Sequence, residues 1–176
     1  MSIKIFFDMD GVLVDFAGGA SKALNAALDT GDASHRNIRK LIDFEGPKEI
    51  ISPSYLDSLV ARKDAGMKKT KWEKLVNSAM FTLIGRGGQS HWENLPPLVG
   101  HAQMIDAAIQ LVGLDKVHVC TAPINDRDGG CERGKRNWVQ ENTDILPNNV
   151  FVTEDKGSIA SQFPNDTCIL IDDRDI

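Results

Sequence analysis

The chain has 176 residues, a hydrophobic share of 41%, a charged share of 26% and a formal net charge of −5. This length allows one domain with a sizeable core and a small insertion, and the composition is that of an ordinary soluble globular protein. The negative charge argues against a dedicated surface for a nucleic-acid polymer, and no apolar run approaches the roughly 20 residues that span a bilayer. The start MSIKIFF has no signal peptide and the three cysteines have no metal-site spacing, so we expect a cytoplasmic protein with reduced thiols.

The first predicted element is a strand, the apolar run IKIFFD at residues 3–8. Asp8 closes this run, and Asp10 and Gly11 follow it. Two carboxylates so close raise each other's pKa unless a positive charge lies between them. The stretch therefore predicts a bound cation at the end of a buried strand.

A long and mainly helical stretch follows, at residues 16–95. It is too long for one crossover helix, and apolar residues recur at helical spacing in segments 20–28, 54–63 and 71–84. GRGGQS at 85–90 predicts a flexible loop. We therefore expect this stretch to be a helical cap inserted after the first strand.

Strands and helices alternate in the rest of the chain. Three further apolar, β-branched runs predict strands, namely KVHVCT (116–121), NVFVTE (149–154) and TCILID (167–172). Helical segments precede or separate these strands, at 105–112, 133–141 and 157–163. This alternation is typical of a parallel sheet. We expect a Rossmann-like α/β core made of residues 1–15 and 96–176, with the cap at 16–95.

Each predicted strand ends in a polar group that can take part in chemistry. These groups are Asp8 with Asp10 after the first strand, Thr121 at the second, Lys156 after the third, and Asp172 with Asp173 after the fourth. In open α/β sheets, ligands bind beyond the carboxyl ends of the strands. If the strands are parallel, these groups converge on one site.

In this order, the strand-end groups resemble the four-motif signature of the haloacid dehalogenase superfamily of phosphotransferases. The segments DMDGVLVDFAGG, VCTAPI, GKRNWV, VTEDK and LIDDRD resemble, in order, segments of the 5'(3')-deoxyribonucleotidases. The resemblance covers the core and is faint in the predicted cap. It implies the haloacid dehalogenase fold and a Mg²⁺-dependent phosphatase that hydrolyses (deoxy)ribonucleoside monophosphates.

The resemblance also implies a role for each motif residue. Asp8 would be the nucleophile that forms an aspartyl-phosphate, and Asp10 the general acid and base. Thr121 would hold phosphate oxygens, and Lys156 would neutralise developing charge.

The resemblance implies a Mg²⁺ ion that is held by aspartates at two strand ends. The expected ligands are a carboxylate oxygen of Asp8, the main-chain carbonyl of Asp10 and the carboxylate of Asp172. Asp173 would bind the ion directly or through a water.

Five further residues are expected to contact substrate: Gly11, Ala122, Lys135, Phe16 and Trp92. Gly11 lets the backbone approach the phosphate, and the Ala122 N–H would hold a phosphate oxygen. Lys135 matches a lysine that contacts substrate phosphate in the deoxyribonucleotidases, with a solvated helix face as the alternative. Phe16 and Trp92 fall near aromatics that those enzymes place against the nucleobase, with ordinary cap packing as the alternative.

Two positions depart from the pattern of the deoxyribonucleotidases. Ala122 stands where a serine is expected, and Glu154 stands where an arginine is expected. A carboxylate near an anionic substrate is unfavourable unless it points away or pairs with a cation such as Arg127, Arg133 or Arg136. Both departures leave the base and sugar preference open.

Several alternatives stay open at this point. The substrate could be another phosphate monoester such as a sugar phosphate, or the chain could be a phospho-accepting signalling module. The expected partner is a small molecule, with no membrane and no nucleic-acid polymer. The chain stops at Ile176, soon after Asp173, which would leave TCILID at a bare sheet edge. Either the natural chain is longer, or another element or the second subunit of a homodimer covers that edge.

Overall fold

The structure, a computed structural model, describes residues 2–124 and 128–173. In these ranges the fold is mixed α/β, with one four-stranded sheet in the order β3-β2-β1-β4 and parallel pairing throughout. The strands are β1 (Ile3–Phe7), β2 (Val117–Thr121), β3 (Val150–Val152) and β4 (Thr167–Ile171). The predicted parallel sheet is confirmed, and the architecture is consistent with a Rossmann-like α/β fold.

Seven α-helices accompany the sheet in the described ranges. They are α1 (Phe16–Asp29), α2 (Arg36–Ile42), α3 (Pro53–Asp64), α4 (Lys71–Glu93), α5 (His101–Val112), α6 (Gly130–Asn142) and α7 (Lys156–Ala160). Short 3-10 turns at Leu114–Lys116 and Pro147–Asn149 lead into β2 and β3. The helix at α2 was not predicted from the sequence.

The two central strands form the buried middle of the sheet. Every residue of β2 is buried, as are the last three residues of β1, because both strands have neighbours on either side. The strand β4 lies at an edge and is only half-buried, with Ile169 exposed. Ile176, where the chain stops, lies outside the described residues.

The chain divides into two compact units. The α/β unit contains Met1–Asp15 and Gly88–Ile176, and the helical unit contains Phe16–Gly87. The helical unit has its own hydrophobic core, with Leu24, Leu41 and Trp72 among its buried members. The role of residues 16–95 as a cap stays a prediction.

The predicted loop at residues 85–90 is wrong. These residues belong to α4, and Gly88 alone among them has non-helical backbone angles, with φ 50° and ψ −138°. Glycine tolerates that conformation because it has no Cβ. Two helical stretches are therefore joined by a kink at one residue, and the boundary between the units falls there.

None of the helices in the described part of the chain combines the length and apolar character needed to cross a membrane.

Candidate functional site

Strand register brings two carboxylates together at one end of the sheet. Phe7 of β1 pairs with Ile171 of β4, so the next residues, Asp8 and Asp172, leave the sheet side by side. The Asp8 amide donates a hydrogen bond of 2.8 Å to the Ile171 carbonyl, which extends the pairing by one step. Here the chain order of the strands reverses across the sheet, which is where ligands bind in open α/β sheets.

Asp8, Asp172 and Asp173 form a compact acidic group. Each offers a carboxylate oxygen that lies within 4.8 Å of the corresponding oxygens of the other two. Asp8 is only 4% exposed, whereas Asp173 is exposed. Like charges at this spacing repel strongly when they are shielded from water, so the group needs a positive charge beside it.

Lys156 supplies one positive charge. Its Nζ lies 3.0 Å from Asp8 Oδ2 and 2.5 Å from Asp172 Oδ2. Burial by itself would lower the pKa of this lysine, but the hydrogen bond to Asp172 and the charge of Asp8 outweigh it and raise the pKa. The lysine is the first residue of α7, whose start is capped by the Asp155 carboxylate accepting from the Ser158 amide.

The acidic group could hold a metal ion. The group has three carboxylates, and Lys156 pairs with two of them, Asp8 and Asp172, so negative charge is in excess even with the lysine in place. All three potential metal ligands are carboxylate oxygens, which suit a hard ion such as Mg²⁺ better than a soft metal. The Asp10 carboxylate is not a member of this group, and its Oδ2 accepts a hydrogen bond from Lys135.

Gly11 makes room for the acidic group. Its φ is +78°, and a Cβ built on it would collide with Asp173 Oδ2. Any other residue would therefore be strained there and would also displace the Asp173 carboxylate. Gly11 was predicted to let the backbone approach a phosphate. The position of the Asp173 carboxylate also requires a residue without a Cβ there.

A second polar cluster surrounds Lys135, a residue of α6. Its Nζ donates to Asp10 Oδ2 at 2.6 Å, to Thr121 Oγ1 at 2.9 Å and to the Ala122 carbonyl at 2.8 Å. The ring of Trp92 covers the ammonium, with its centroid 4.5 Å away. Lys135 and Thr121 are both 0% exposed.

These contacts give several predicted substrate residues an internal partner. In this structure Thr121 and Lys135 offer no surface to a phosphate. The Ala122 carbonyl accepts from the lysine, and the contact predicted for the Ala122 N–H stays a prediction. Trp92 is 1% exposed and packs within the α/β unit, so it offers no open face to a base. Phe16 is partly buried and begins α1 in the helical unit.

The structure also locates Glu154, which stands where an arginine was expected, and the arginines considered as its partners. Glu154 is exposed, in the turn between β3 and α7. Arg133 donates to Gln89 and to the Asp128 carbonyl, and Arg136 donates to Glu132. Arg127 lies outside the described residues.

Sequence reasoning missed Gly134 as part of this site. A Cβ on Gly134 would lie 2.5 Å from the Gln89 carbonyl oxygen and 2.6 Å from Trp92 Cβ. The glycine therefore lets α6 approach the end of α4 closely enough for Trp92 to cover Lys135. The available signal was a glycine inside an amphipathic helix, which indicates a close backbone approach.

No protein-family model matches the chain. A stretch of 65 residues is 34% identical to the large ribosomal subunit protein bL17 of Treponema pallidum, in strain Nichols and in a second strain of the same organism. The match covers 37% of this chain and 40% of each relative, so the chain spans less than half the length of these curated relatives.

These findings contradict the predicted membership of the haloacid dehalogenase superfamily and the kinship with the deoxyribonucleotidases. The resemblance rested on short segments at strand ends, and the relatives found are ribosomal proteins. Aspartate, threonine and lysine recur wherever a parallel sheet assembles an oxyanion or metal site, so such motifs do not by themselves establish common descent.

Proposed function

We propose that this chain is a cytoplasmic, Mg²⁺-dependent phosphatase that hydrolyses small phosphate monoesters, with (deoxy)ribonucleoside monophosphates as the first substrate class. The observation that carries the proposal is the acidic group of Asp8, Asp172 and Asp173 at the carboxyl ends of β1 and β4, with Lys156 paired to Asp8 and Asp172. The proposal rests on the chemistry of this group and on no family membership.

Asp8 is the proposed nucleophile. Its Oδ1 accepts a hydrogen bond of 2.7 Å from the Met9 amide, and its Oδ2 faces Lys156, so the carboxylate is held in one orientation. One carboxylate oxygen attacks phosphorus, a bond to Asp8 forms, and the bond from phosphorus to the ester oxygen breaks. Water then attacks the aspartyl-phosphate, phosphate leaves and the free carboxylate returns.

Asp10 is the proposed general acid and base. It gives a proton to the departing alkoxide and takes one from the attacking water, so the proton count balances over one turnover. Its side chain is 19% exposed, with Oδ2 held by Lys135 and Oδ1 buried.

Asp8, Asp172 and Asp173 are the residues that would hold Mg²⁺, together with the main-chain carbonyl of Asp10. A Mg²⁺ ion bound there would supply positive charge that stabilises the transferring phosphoryl group. Lys156 adds a further positive charge beside Asp8 and Asp172.

Residues 16–95 are proposed to act as a cap that excludes water and reads the leaving group. Phe16 is the proposed base-stacking residue. Among the partly accessible aromatic residues, it is the nearest in sequence to Asp8 and Asp10. A sugar phosphate is the alternative substrate, and a panel of substrates decides between the two.

The deciding experiment is a hydrolysis panel of nucleoside monophosphates, sugar phosphates and p-nitrophenyl phosphate, with Mg²⁺ or with EDTA. We expect turnover that needs Mg²⁺ and is lost in Asp8→Asn. Full activity in EDTA would refute the metal assignment. One phosphate retained per chain from acetyl phosphate, without turnover, would indicate the phospho-accepting module instead.

A second candidate function is association with the large ribosomal subunit, which the partial match to bL17 favours. The sequence of the helical unit carries twelve Lys and Arg against eight Asp and Glu, a net charge of +4. Positive charge favours a polyanionic partner, although the whole chain is negative. Co-sedimentation of the chain with purified large subunits at low and high salt tests this candidate.

A further inference from the structure

Lys135 is a buried cation whose hydrogen-bonding capacity is used inside the protein. A lysine ammonium has three N–H donors, and three acceptors lie at 2.6 to 2.9 Å from this one. The Trp92 ring covers it from a further direction. A phosphate could bind Lys135 only after one of these bonds had broken.

The three acceptors belong to two different strand ends. Asp10 follows β1, whereas Thr121 ends β2 and Ala122 follows it. Lys135 therefore ties α6 to both strand ends at a single atom. Three charge-assisted hydrogen bonds from one atom hold their partners more firmly than neutral bonds would.

From this geometry, we propose that Lys135 is a positioning residue that fixes the Asp10 carboxylate for proton transfer and does not contact phosphate. The proposal rests on the phosphatase function and deepens it. A general acid must lie within hydrogen-bond reach of the departing oxygen, and a displacement of about 1 Å can reduce the rate by roughly 10²-fold.

The test compares Lys135→Met with wild type at saturating Mg²⁺. Methionine fills a similar volume and donates no hydrogen bond. We expect kcat for a nucleoside monophosphate to fall by about 10²-fold with a KM change below about threefold. The loss should be smaller for p-nitrophenyl phosphate, whose leaving group departs without a proton. Arg133→Met is the matched control, because it removes a cation from the same helix without touching Asp10.

A phosphate-contacting role predicts a different pattern. Lys135→Met would then raise KM for every substrate and would weaken binding of inorganic phosphate, measured by calorimetry, by about tenfold or more. That result would overturn the positioning role. Unchanged phosphate affinity together with a leaving-group-dependent loss of kcat supports it.

The double variant Asp10→Asn/Lys135→Met keeps the test usable if Lys135→Met fails to fold. It removes both members of the ion pair and so leaves no buried charge unpaired. If Lys135 acts through Asp10, the double variant is as slow as Asp10→Asn alone. A further loss of more than about tenfold would contradict the proposal.

A crystal structure of Lys135→Met separates this proposal from the phosphatase function. We expect the Asp10 carboxylate to leave its present position, and an unmoved carboxylate would overturn the positioning role. If wild type hydrolyses no phosphate monoester, the phosphatase function fails, and the position of Asp10 in this structure still decides whether Lys135 fixes it.

Discussion

The α/β unit and the helical unit bury ionisable groups in different ways. In the α/β unit, Asp8 is buried at the end of β1 and Lys135 is buried in α6 against two strand ends, and their partners come from distant parts of the sequence. In the helical unit, the buried carboxylate of Glu73 lies in the first turn of α4 and accepts from the Thr70 amide. The first arrangement assembles a site, whereas the second secures a helix end.

The two units also differ in charge. The sequence of the α/β unit carries eight Lys and Arg against seventeen Asp and Glu, a net charge of −9, whereas the helical unit carries +4. Part of the negative charge of the α/β unit is concentrated in the acidic group of Asp8, Asp172 and Asp173. Negative charge held together in this way raises the free energy of the fold unless a ligand such as a cation offsets it.

The largest effect is expected from replacing Asp8, the buried carboxylate of the α/β unit, because this unit is proposed to hold the reactive site. Asp8→Asn keeps the size of the side chain and removes the nucleophile, so we expect hydrolysis to fall by about 10³-fold or more while the protein stays folded. Steady-state kinetics and circular dichroism check both parts. A variant that retains more than a few per cent of the wild-type rate would rule out the covalent mechanism.

Glu73→Gln is the matched change in the helical unit. The Thr70 amide hydrogen bond lowers the pKa of Glu73, and the charge of Arg62 lowers it further. We expect the substitution to reduce the free energy of unfolding by about 1–3 kcal/mol and to leave kcat of the folded protein unchanged. A large loss of kcat without a loss of stability would assign Glu73 to the site and remove the distinction between the units.

The next prediction concerns His118, a buried residue of β2. Its ring stacks on Phe6, and neither ring nitrogen has a hydrogen-bond partner among the described residues. Burial, with a contribution from the charge of Lys4, lowers the pKa of His118 from 6.5 to about 4. The unfolded chain therefore takes up a proton at a higher pH than the folded one.

We expect this difference to reduce the free energy of unfolding as pH falls from 6.5 to 4, by up to about 3 kcal/mol. His118→Phe keeps the stacking and should flatten this part of the pH profile in urea titrations. His91→Phe is the control, and it should flatten the profile less because His91 is only partly buried. An unchanged slope in His118→Phe would show that other groups cause the pH dependence.

Much of the fold could be predicted because it depends on local patterns. The four strands form within two residues of the predicted ends, since short β-branched runs between helical segments favour buried parallel strands. Parallel pairing then brings Asp8 and Asp172 to the same edge, as expected. The helix through 85–90 was missed because three glycines favour a loop when packing is ignored.

The partners of Lys135 could not be predicted in the same way. A lysine in an amphipathic helix is usually solvated, and the sequence does not show that Asp10, 125 residues away, accepts its hydrogen bond. The family resemblance was wrong for a related reason. It used the residue types that the site needs, and these types follow from the chemistry and from the sheet rather than from ancestry.

A further prediction compares two glycines, one from each unit. Gly11 and Gly31 both have positive φ, but a Cβ meets Asp173 at Gly11 and open space at Gly31. Substitution by alanine should cost about 1 kcal/mol of stability at both positions from backbone strain. Only Gly11→Ala should also weaken Mg²⁺ activation, by about tenfold or more, because it displaces a proposed ligand. Equal Mg²⁺ dependence in the two variants would exclude Asp173 from the metal site.

The smallest effect is expected at Phe16, where the helical unit is proposed to read the substrate. If the ring stacks on a base, Phe16→Ala should reduce kcat/KM for a nucleoside monophosphate by about 1 kcal/mol, roughly fivefold, the lower end for one base–aromatic stack. The reaction with p-nitrophenyl phosphate should change little, because Asp8, Asp10 and Lys156 are untouched. Phe81→Ala, at an exposed position of α4, is the control for losing an aromatic ring from the same unit. A loss confined to nucleotides supports a nucleotidase despite Ala122 and Glu154, whereas an equal loss for every substrate would identify Phe16 as a packing residue and favour a sugar phosphate.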